Sequence, residues 1–439
     1  MARNLSAAPL EAEIIDLAQD GRGVAKVSGK TVFIDGALPG EVVRFNVFKR
    51  RRQFDEAQLV DIVSSSPDRT EPLCKHFGVC GGCSLQHLKP QAQLSAKQQQ
   101  LLDAFRHIGG VVPQRLLEPL KGPQWAYRRR ARLGVKYVTK KGRVLAGFRE
   151  KNKPYLADIQ RCEILVEPQA LLARELAALA ESLSIRDKLP QVEVAAGDTH
   201  TALVLRVMAA PSADDLQKIA RFGAAQGVQI FLQTGGLDTV RALEEGYAPL
   251  SYTVDGGQVN IEFSPVDFIQ VNRDINVGMV DAAIRLLQPG PEDVLLDLFC
   301  GLGNFTLPLA SRARQAVGVE GDPALVAKAR ANAARNAIGN AEFAAENLFE
   351  PAKFGAWAKQ RYDLVLLDPP RAGAVELLPC VAQWQPRRVV YISCHPGSLA
   401  RDTGILVRDL GFTLTEAGVM DMFPHTTHVE SIAVFERRA

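Results

Sequence analysis

No uncharged apolar run in this chain of 439 residues is long enough to cross a bilayer, which excludes a helical membrane span. Pro9, Glu11 and Glu13 stand where a secretion signal needs an apolar centre, so a cytoplasmic location is expected. There is no internal repeat and no low-complexity stretch. Hydrophobic residues at 47% and charged residues at 23% carry no signature of disorder. Seven cysteines, an odd number without a secretion signal, argue against a disulfide framework and for metal or catalytic use. Two nucleotide-binding patterns are also missing. No Gly-Lys-Ser/Thr loop for nucleoside triphosphates occurs, and no third glycine completes a dinucleotide fingerprint around Gly301 and Gly303. What remains is a chain with room for two to four domains, each with its own core.

After about Asn272 apolar strand-like runs alternate with helical patterns: 274–287, 294–298, 304–310, 316–319, 323–337 and 364–367. That alternation predicts a parallel, doubly wound sheet, whose ligands bind beyond the carboxyl ends of its strands. Val294-Leu295-Leu296-Asp297-Leu298 runs into the glycine-rich turn Phe299-Cys300-Gly301-Leu302-Gly303-Asn304, where backbone can approach a ligand closely. Glu320, about twenty residues on at the end of the next strand, is placed to accept both hydroxyls of a ribose. Asn347 follows the expected third strand and suits an adenine edge. These features together fit adenosine without a pyrophosphate and resemble a class I S-adenosylmethionine-dependent methyltransferase.

The runs 364–367 and 388–392 then end in Asp368-Pro369-Pro370-Arg371 and in Ser393-Cys394-His395-Pro396. Neighbouring parallel strands would bring Asp368 and Cys394 to one cleft. A lone thiol is more often a small buried hydrophobe, but one in polar turn chemistry at a strand end faces ligand. Beside a methyl donor it would serve as the nucleophile toward a carbon of a nucleobase.

Residues 1–67 read as a small β-barrel, with runs at 13–17, 24–27, 31–34, 42–48 and 58–63 and a basic tip at Lys49 to Arg52. The turns Gly21-Arg22-Gly23-Val24-Ala25 and Ala37-Leu38-Pro39-Gly40-Glu41 resemble those of a TRAM domain, an RNA-binding barrel of RNA-modifying enzymes. A central domain over 68–267 and a catalytic domain over 268–439 complete the expected organisation, with a helix near 91–108 that can pack on the latter. Cys74, Cys80 and Cys83 lie among Gly78, Gly81 and Gly82, and Cys162 is distant in sequence. Four thiolates can hold zinc or an iron-sulfur cluster, and spacing does not separate the two. Lys121 to Lys153 holds twelve Lys and Arg residues against Glu150 alone, interleaved with Trp125, Tyr127, Tyr137 and Phe148. Such a mixture suits phosphate contact and base stacking on unpaired nucleic acid, although some of the rings must be core.

These motifs, with Phe268-Ile269-Gln270-Val271-Asn272 and His428-Val429-Glu430, resemble the RNA uracil-5-methyltransferase family, in its 23S ribosomal RNA branch, over nearly the whole chain. The resemblance implies a multidomain architecture: a TRAM barrel, a central α+β domain with a 4Fe-4S cluster on Cys74, Cys80, Cys83 and Cys162, and a Rossmann-like catalytic domain. It further implies that Gln270, Phe299, Asn304, Glu320, Asn347 and Asp368 contact S-adenosylmethionine or the target base, that Cys394 is the nucleophile, and that Glu430 is the base. The implied partner is 23S ribosomal RNA with its target uridine flipped out, met by a monomer without membrane contact. Two rival readings are a radical S-adenosylmethionine enzyme and a non-catalytic ribosome-assembly factor. The first needs three cysteines that leave one iron open, and the second needs no thiol at a strand end.

Overall fold

The computed structural model of the protein describes residues 8–438. The first seven residues of the expected 1–67 barrel lie outside that range. The chain from Leu10 to Leu17 pairs along both edges of one sheet: Leu10–Glu13 lies antiparallel to Val42–Arg50, and Asp16–Leu17 lies antiparallel to Gly23–Val27. A sheet whose two edge strands are joined by so short a segment curls toward closure, which shields its edges. Alternate residues point inward, so Ala25, Val32, Ile34, Val43, Phe45 and Ala57 fill the barrel.

The middle of the chain forms a second six-stranded sheet, backed by helices Leu172–Ser182 and Ala213–Gln226. The second of these helices is absent from the expected elements, although its signals are present. Ser212 and Asp215 form a reciprocal capping box at its start, and Gly227, at φ +62°, ends it.

The catalytic sheet contains β1 (Val294–Leu298), β2 (Gln315–Glu320), β3 (Ala341–Ala345), β4 (Leu364–Leu367), β5 (Arg388–Ser393), β6 (Phe412–Met420) and β7 (Glu430–Arg437). Their order is β3-β2-β1-β4-β5-β7-β6, and the two-residue strand Arg115–Leu116 adds to the β6 edge. The first five are parallel, and β7 is antiparallel to both of its neighbours. Strand order reverses between β1 and β4, which opens a crevice at their carboxyl ends. Both faces of the sheet are covered, and the period of two divides the strands between two cores. Leu295, Leu364, Leu366, Val390 and Ile432 face helix Arg273–Leu287. Leu296, Leu298, Val365, Leu367, Tyr391 and Phe435 face the other way, against Leu101 and Phe105 of the segment Pro90–Gly109 and Leu399 of helix Pro396–Arg408. No helix among the described residues is long and apolar enough to cross a membrane.

One buried carboxylate ties the site-bearing loops to this sheet. Asp402 Oδ2 accepts from the Ala374 backbone NH at 2.8 Å and from the Tyr391 hydroxyl at 2.7 Å. The Asp-Pro-Pro turn is thereby joined to β5 and to helix Pro396–Arg408. Gly373, at φ +85°, is needed here because a Cβ would stand 2.6 Å from that same carboxylate oxygen. Asp402→Ala strands two buried donors and should lower stability by about 3 kcal/mol in urea denaturation, with a smaller loss for Asp402→Asn, which keeps one acceptor.

Candidate active site

The turn after β1 is held in a costly backbone conformation. Phe299 sits in the left-handed region at φ +65°, followed by Gly301 at +53° and Gly303 at +90°. A non-glycine residue pays about 1–2 kcal/mol for that region, so the surroundings must enforce it. The backbone NH groups of Phe299 and Cys300 both donate to the Val319 carbonyl, at 2.9 and 3.1 Å, which staples the turn to β2. Nothing lies within 4 Å of where a Gly301 side chain would begin. Ligand can therefore approach the backbone there.

Around this turn the side chains are pre-oriented. Asn304 forms a reciprocal amide pair with Asn276, both bonds 3.0 Å, and accepts from the Tyr252 hydroxyl at 3.1 Å. Glu320 stands at the end of β2 and accepts from the NH groups of Gly301, Gly321 and Asp322. Phe299 and Phe349 bring their ring centroids to 5.8 Å. Asn347 is exposed and engaged in its own turn, accepting from the Phe349 NH and donating to Glu350. Gln270 is half-buried in the loop before helix Arg273–Leu287, close in sequence to Phe268, which is 72% exposed. Asn276, Tyr252 and Asp297 were not assigned roles from sequence. A carboxylate inside an otherwise apolar strand was the available signal for Asp297.

The carboxyls at this edge are poorly solvated. Burial pushes Asp368 up to about 7 and does the same for Asp297, on which Asp368 and Glu320 also act. Asp297 Oδ2 accepts from the Thr306 hydroxyl, and its Oδ1 has no partner among the described residues. A cleft of buried acidic groups favours a cationic ligand. A sulfonium, together with an adenosine over the glycine turn, fits these residues.

Cys394 and Glu430 meet because β7 runs against β5. Ser393 is in register with Ser431, and the Ser431 hydroxyl donates to the Ser393 carbonyl at 3.1 Å. Cys394 is the first residue beyond β5 and Glu430 the first of β7, near enough for the Glu430 carboxyl to act on the thiol. Burial, then the Glu430 and Asp368 carboxyls, push the Cys394 thiol up to about 11, while the Arg371 guanidinium acts in the opposite direction. Glu430 is 4% exposed, and burial holds its carboxyl well above the usual carboxylate range, with Asp368 adding to the effect. The pair can exchange a proton with each other or with a base placed between them.

The structure corrects the expectation of a central domain built on an iron-sulfur cluster. Cys74, Cys80, Cys83 and Cys162 line one cavity of about 580 Å³, shared with His76, Phe148 and His428. No three His, Cys, Asp or Glu side chains among the described residues are grouped so as to hold a metal ion. Burial instead pushes the Cys83 thiol up to about 12 and the Cys162 thiol up to about 11, and Cys80 Sγ accepts from the Gly82 NH at 3.4 Å. The family resemblance grouped the four residues, and the fold does bring them around one cavity. It could not determine where each sulfur points.

Much of the basic segment is internally neutralised. Arg129 pairs with Asp198, Arg130 and Arg132 with Glu193, Lys141 and Arg143 with Asp158, Lys151 with Asp35, and Lys153 with Glu150. Tyr127 is buried and Tyr137 lies under the Arg186 guanidinium, so these two rings are structural. Lys121, Lys136, Lys140 and Arg149 are the exposed charges outside these pairs.

An open cofactor turn and a cysteine beside a buried glutamate, both at one edge of a doubly wound sheet, define an S-adenosylmethionine-dependent methyltransferase fold. The chain belongs to the tRNA (Uracil-5-)-methyltransferase family, whose model matches residues 89–438, and a TRAM domain matches residues 9–60. It is 50% identical over 434 residues to the 23S rRNA (uracil(1939)-C(5))-methyltransferase RlmD of Methylococcus capsulatus, covering 99% of this chain and 98% of that protein. The RlmD of Alkalilimnicola ehrlichii is likewise 50% identical, over 438 residues, with 100% and 98% covered. The crystal structure of Pyrococcus abyssi tRNA (uracil-54, C5)-methyltransferase in complex with S-adenosyl-L-homocysteine superposes with a TM-score of 0.74 at 23% identity, over 97% of this chain and all of that one. That likeness establishes the shared fold.

Only the thiolate is alkylated, so the reaction of Cys394 with iodoacetamide, followed by peptide mass analysis, should accelerate about tenfold per pH unit up to its titration near 11. Glu430→Gln removes a negative charge beside it and should move the profile to lower pH. An unmoved profile would show that the two groups are not electrostatically coupled.

Proposed function

We propose that the protein methylates carbon 5 of a uracil in 23S ribosomal RNA, at the position corresponding to the uracil 1939 for which its relatives are named. The observation that carries the chemistry is the Ser393–Ser431 pairing at the carboxyl edge of the sheet, which brings Cys394, just beyond β5, beside Glu430 at the start of β7. Carbon 5 of uracil is a weak nucleophile. Addition of the Cys394 thiolate to carbon 6 converts the ring to an enolate whose carbon 5 can attack a methyl group. S-adenosylmethionine, when bound, would supply that methyl group as an electrophile on a positively charged sulfur, which leaves as a neutral thioether when the sulfur–methyl bond breaks. Carbon 5 then carries both a methyl group and a proton. Glu430 takes the proton, the ring double bond re-forms, and the Cys394–carbon 6 bond breaks to regenerate the thiolate.

In this reading Phe299, Glu320 and Asn347 border the adenosine, and Asn304, Gln270 and Asp368 face the reacting ends of cofactor and base. Burial raises the proton affinity of the Glu430 carboxylate, which suits the group that accepts the carbon 5 proton. The target uridine has to leave its stack to reach so recessed a thiol. The TRAM barrel and the exposed charges Lys121, Lys136, Lys140 and Arg149 are the proposed contacts to the RNA backbone, made by a single copy of the chain.

Mass mapping of 23S ribosomal RNA treated with enzyme and isotopically labelled cofactor tests the substrate directly: label should appear in one uridine as 5-methyluridine. Cys394→Ala should bind cofactor normally and transfer nothing. Glu430→Gln should still add and methylate, but release of the RNA should slow by about 100- to 10,000-fold, so that a methylated protein–RNA adduct survives denaturing electrophoresis. Normal product release by Glu430→Gln would remove Glu430 from the mechanism.

A further inference from the structure

The loop joining β6 to β7 spans residues 421–429 and delivers Glu430. Its ends are fixed by the Met420–Glu430 pair of the sheet. Between those ends it is held almost entirely by residues more than 290 positions away. Lys97, on helix Pro90–Ala104, donates from Nζ to Asp421 Oδ1 at 2.8 Å and to the Phe423 carbonyl at 2.9 Å, with the two charged side chains 2% and 1% exposed. Gln124 donates to the other Asp421 oxygen at 3.1 Å. Gln93, on the same helix as Lys97, accepts from the His425 NH at 2.8 Å. The Tyr127 hydroxyl donates to the Pro424 carbonyl at 3.1 Å, and the Trp125 ring stacks on His425 with centroids 3.9 Å apart. His425 itself is held at φ +65°.

Two facts make this more than ordinary packing. A buried ion pair adds little net stability compared with apolar residues of the same shape, so its use here calls for a geometric reason. Its acidic member is the residue immediately after the cross-strand partner of Glu430. We propose that Lys97 and Asp421 are positioning residues for Glu430, and that Trp125 and Tyr127 link the same loop to the basic RNA-facing segment that carries them. The inference rests on the role of Glu430 proposed above. It assigns the loop to the proton-removal step and not to thiol addition or cofactor binding, because Cys394 and the cofactor turn hang from other strands.

The test uses full-length Lys97→Met/Asp421→Leu, which removes both charges together and leaves neither buried alone. Cofactor affinity, single-turnover methyl transfer and the lifetime of the methylated protein–RNA adduct are measured separately. A displaced general base can cost about 100-fold, and that loss should fall on adduct resolution alone, so that methylated adduct accumulates while cofactor affinity and methyl transfer stay near those of the unaltered enzyme. Trp125→Ala, which leaves the ion pair intact, should shift the partition in the same direction by a smaller factor. Adduct resolved by the double variant at the unaltered rate would overturn the proposal. So would equal losses in all three measurements, which is the result of a merely structural role. If Glu430→Gln, run alongside, also fails to trap adduct, it is the role of Glu430 that falls, and the positioning role with it.

Discussion

One antiparallel strand makes this site possible. In a sheet of parallel strands only carboxyl ends reach the ligand crevice, so every side chain there comes from a residue that ends a strand. β7, slotted between β5 and β6, instead brings an amino-terminal end to that edge, and with it Glu430. Register does the rest. Pairing of Ser393 with Ser431, reinforced by the Ser431 hydroxyl, sets Glu430 beside Cys394, and a slip of one residue would turn the carboxyl to the far face.

The same edge concentrates groups that are uncomfortable when charged. Asp297, Asp368, Glu430 and Cys394 are all shifted toward their neutral forms, with burial as the largest cause in each case. A low-dielectric cleft of this kind makes each incoming charge count for more than it would in water. Arg371 opposes that shift at the thiol. The strained Phe299 backbone belongs to the same economy of preorganisation: the fold holds the turn open before ligand arrives.

Accessory parts are attached by charge. Arg69, just after the barrel, reaches Glu41 and the Gly36 carbonyl within it, Lys151 spans to Asp35, and Lys97 pairs with Asp421 in the loop before β7. Together with the pairs of Arg129, Arg130, Arg132, Lys141, Arg143 and Lys153, the Lys151 contact leaves the dense positive run from Lys121 to Lys153 with only a few free charges.

Much of this was legible in the linear sequence. The buried parallel strands, the glycine turn, the carboxylate after β2, the Asp-Pro-Pro turn and the thiol after β5 follow from local rules, namely side-chain period, backbone permissiveness at glycine, and the ending of strands in polar residues. The helix Ala213–Gln226 also carries local signals, a capping box and Gly227, around a thin apolar face. What only the tertiary structure decided are relations between distant residues: Glu430 beside Cys394, Lys97 against Asp421, Asn276 clasping Asn304, and the failure of four cysteines around one cavity to form a metal-binding group. Sequence fixes which groups a chain carries and the local shape of its backbone. Distance, side-chain direction and loss of solvent arise from packing between segments hundreds of residues apart, and the chemistry depends on those.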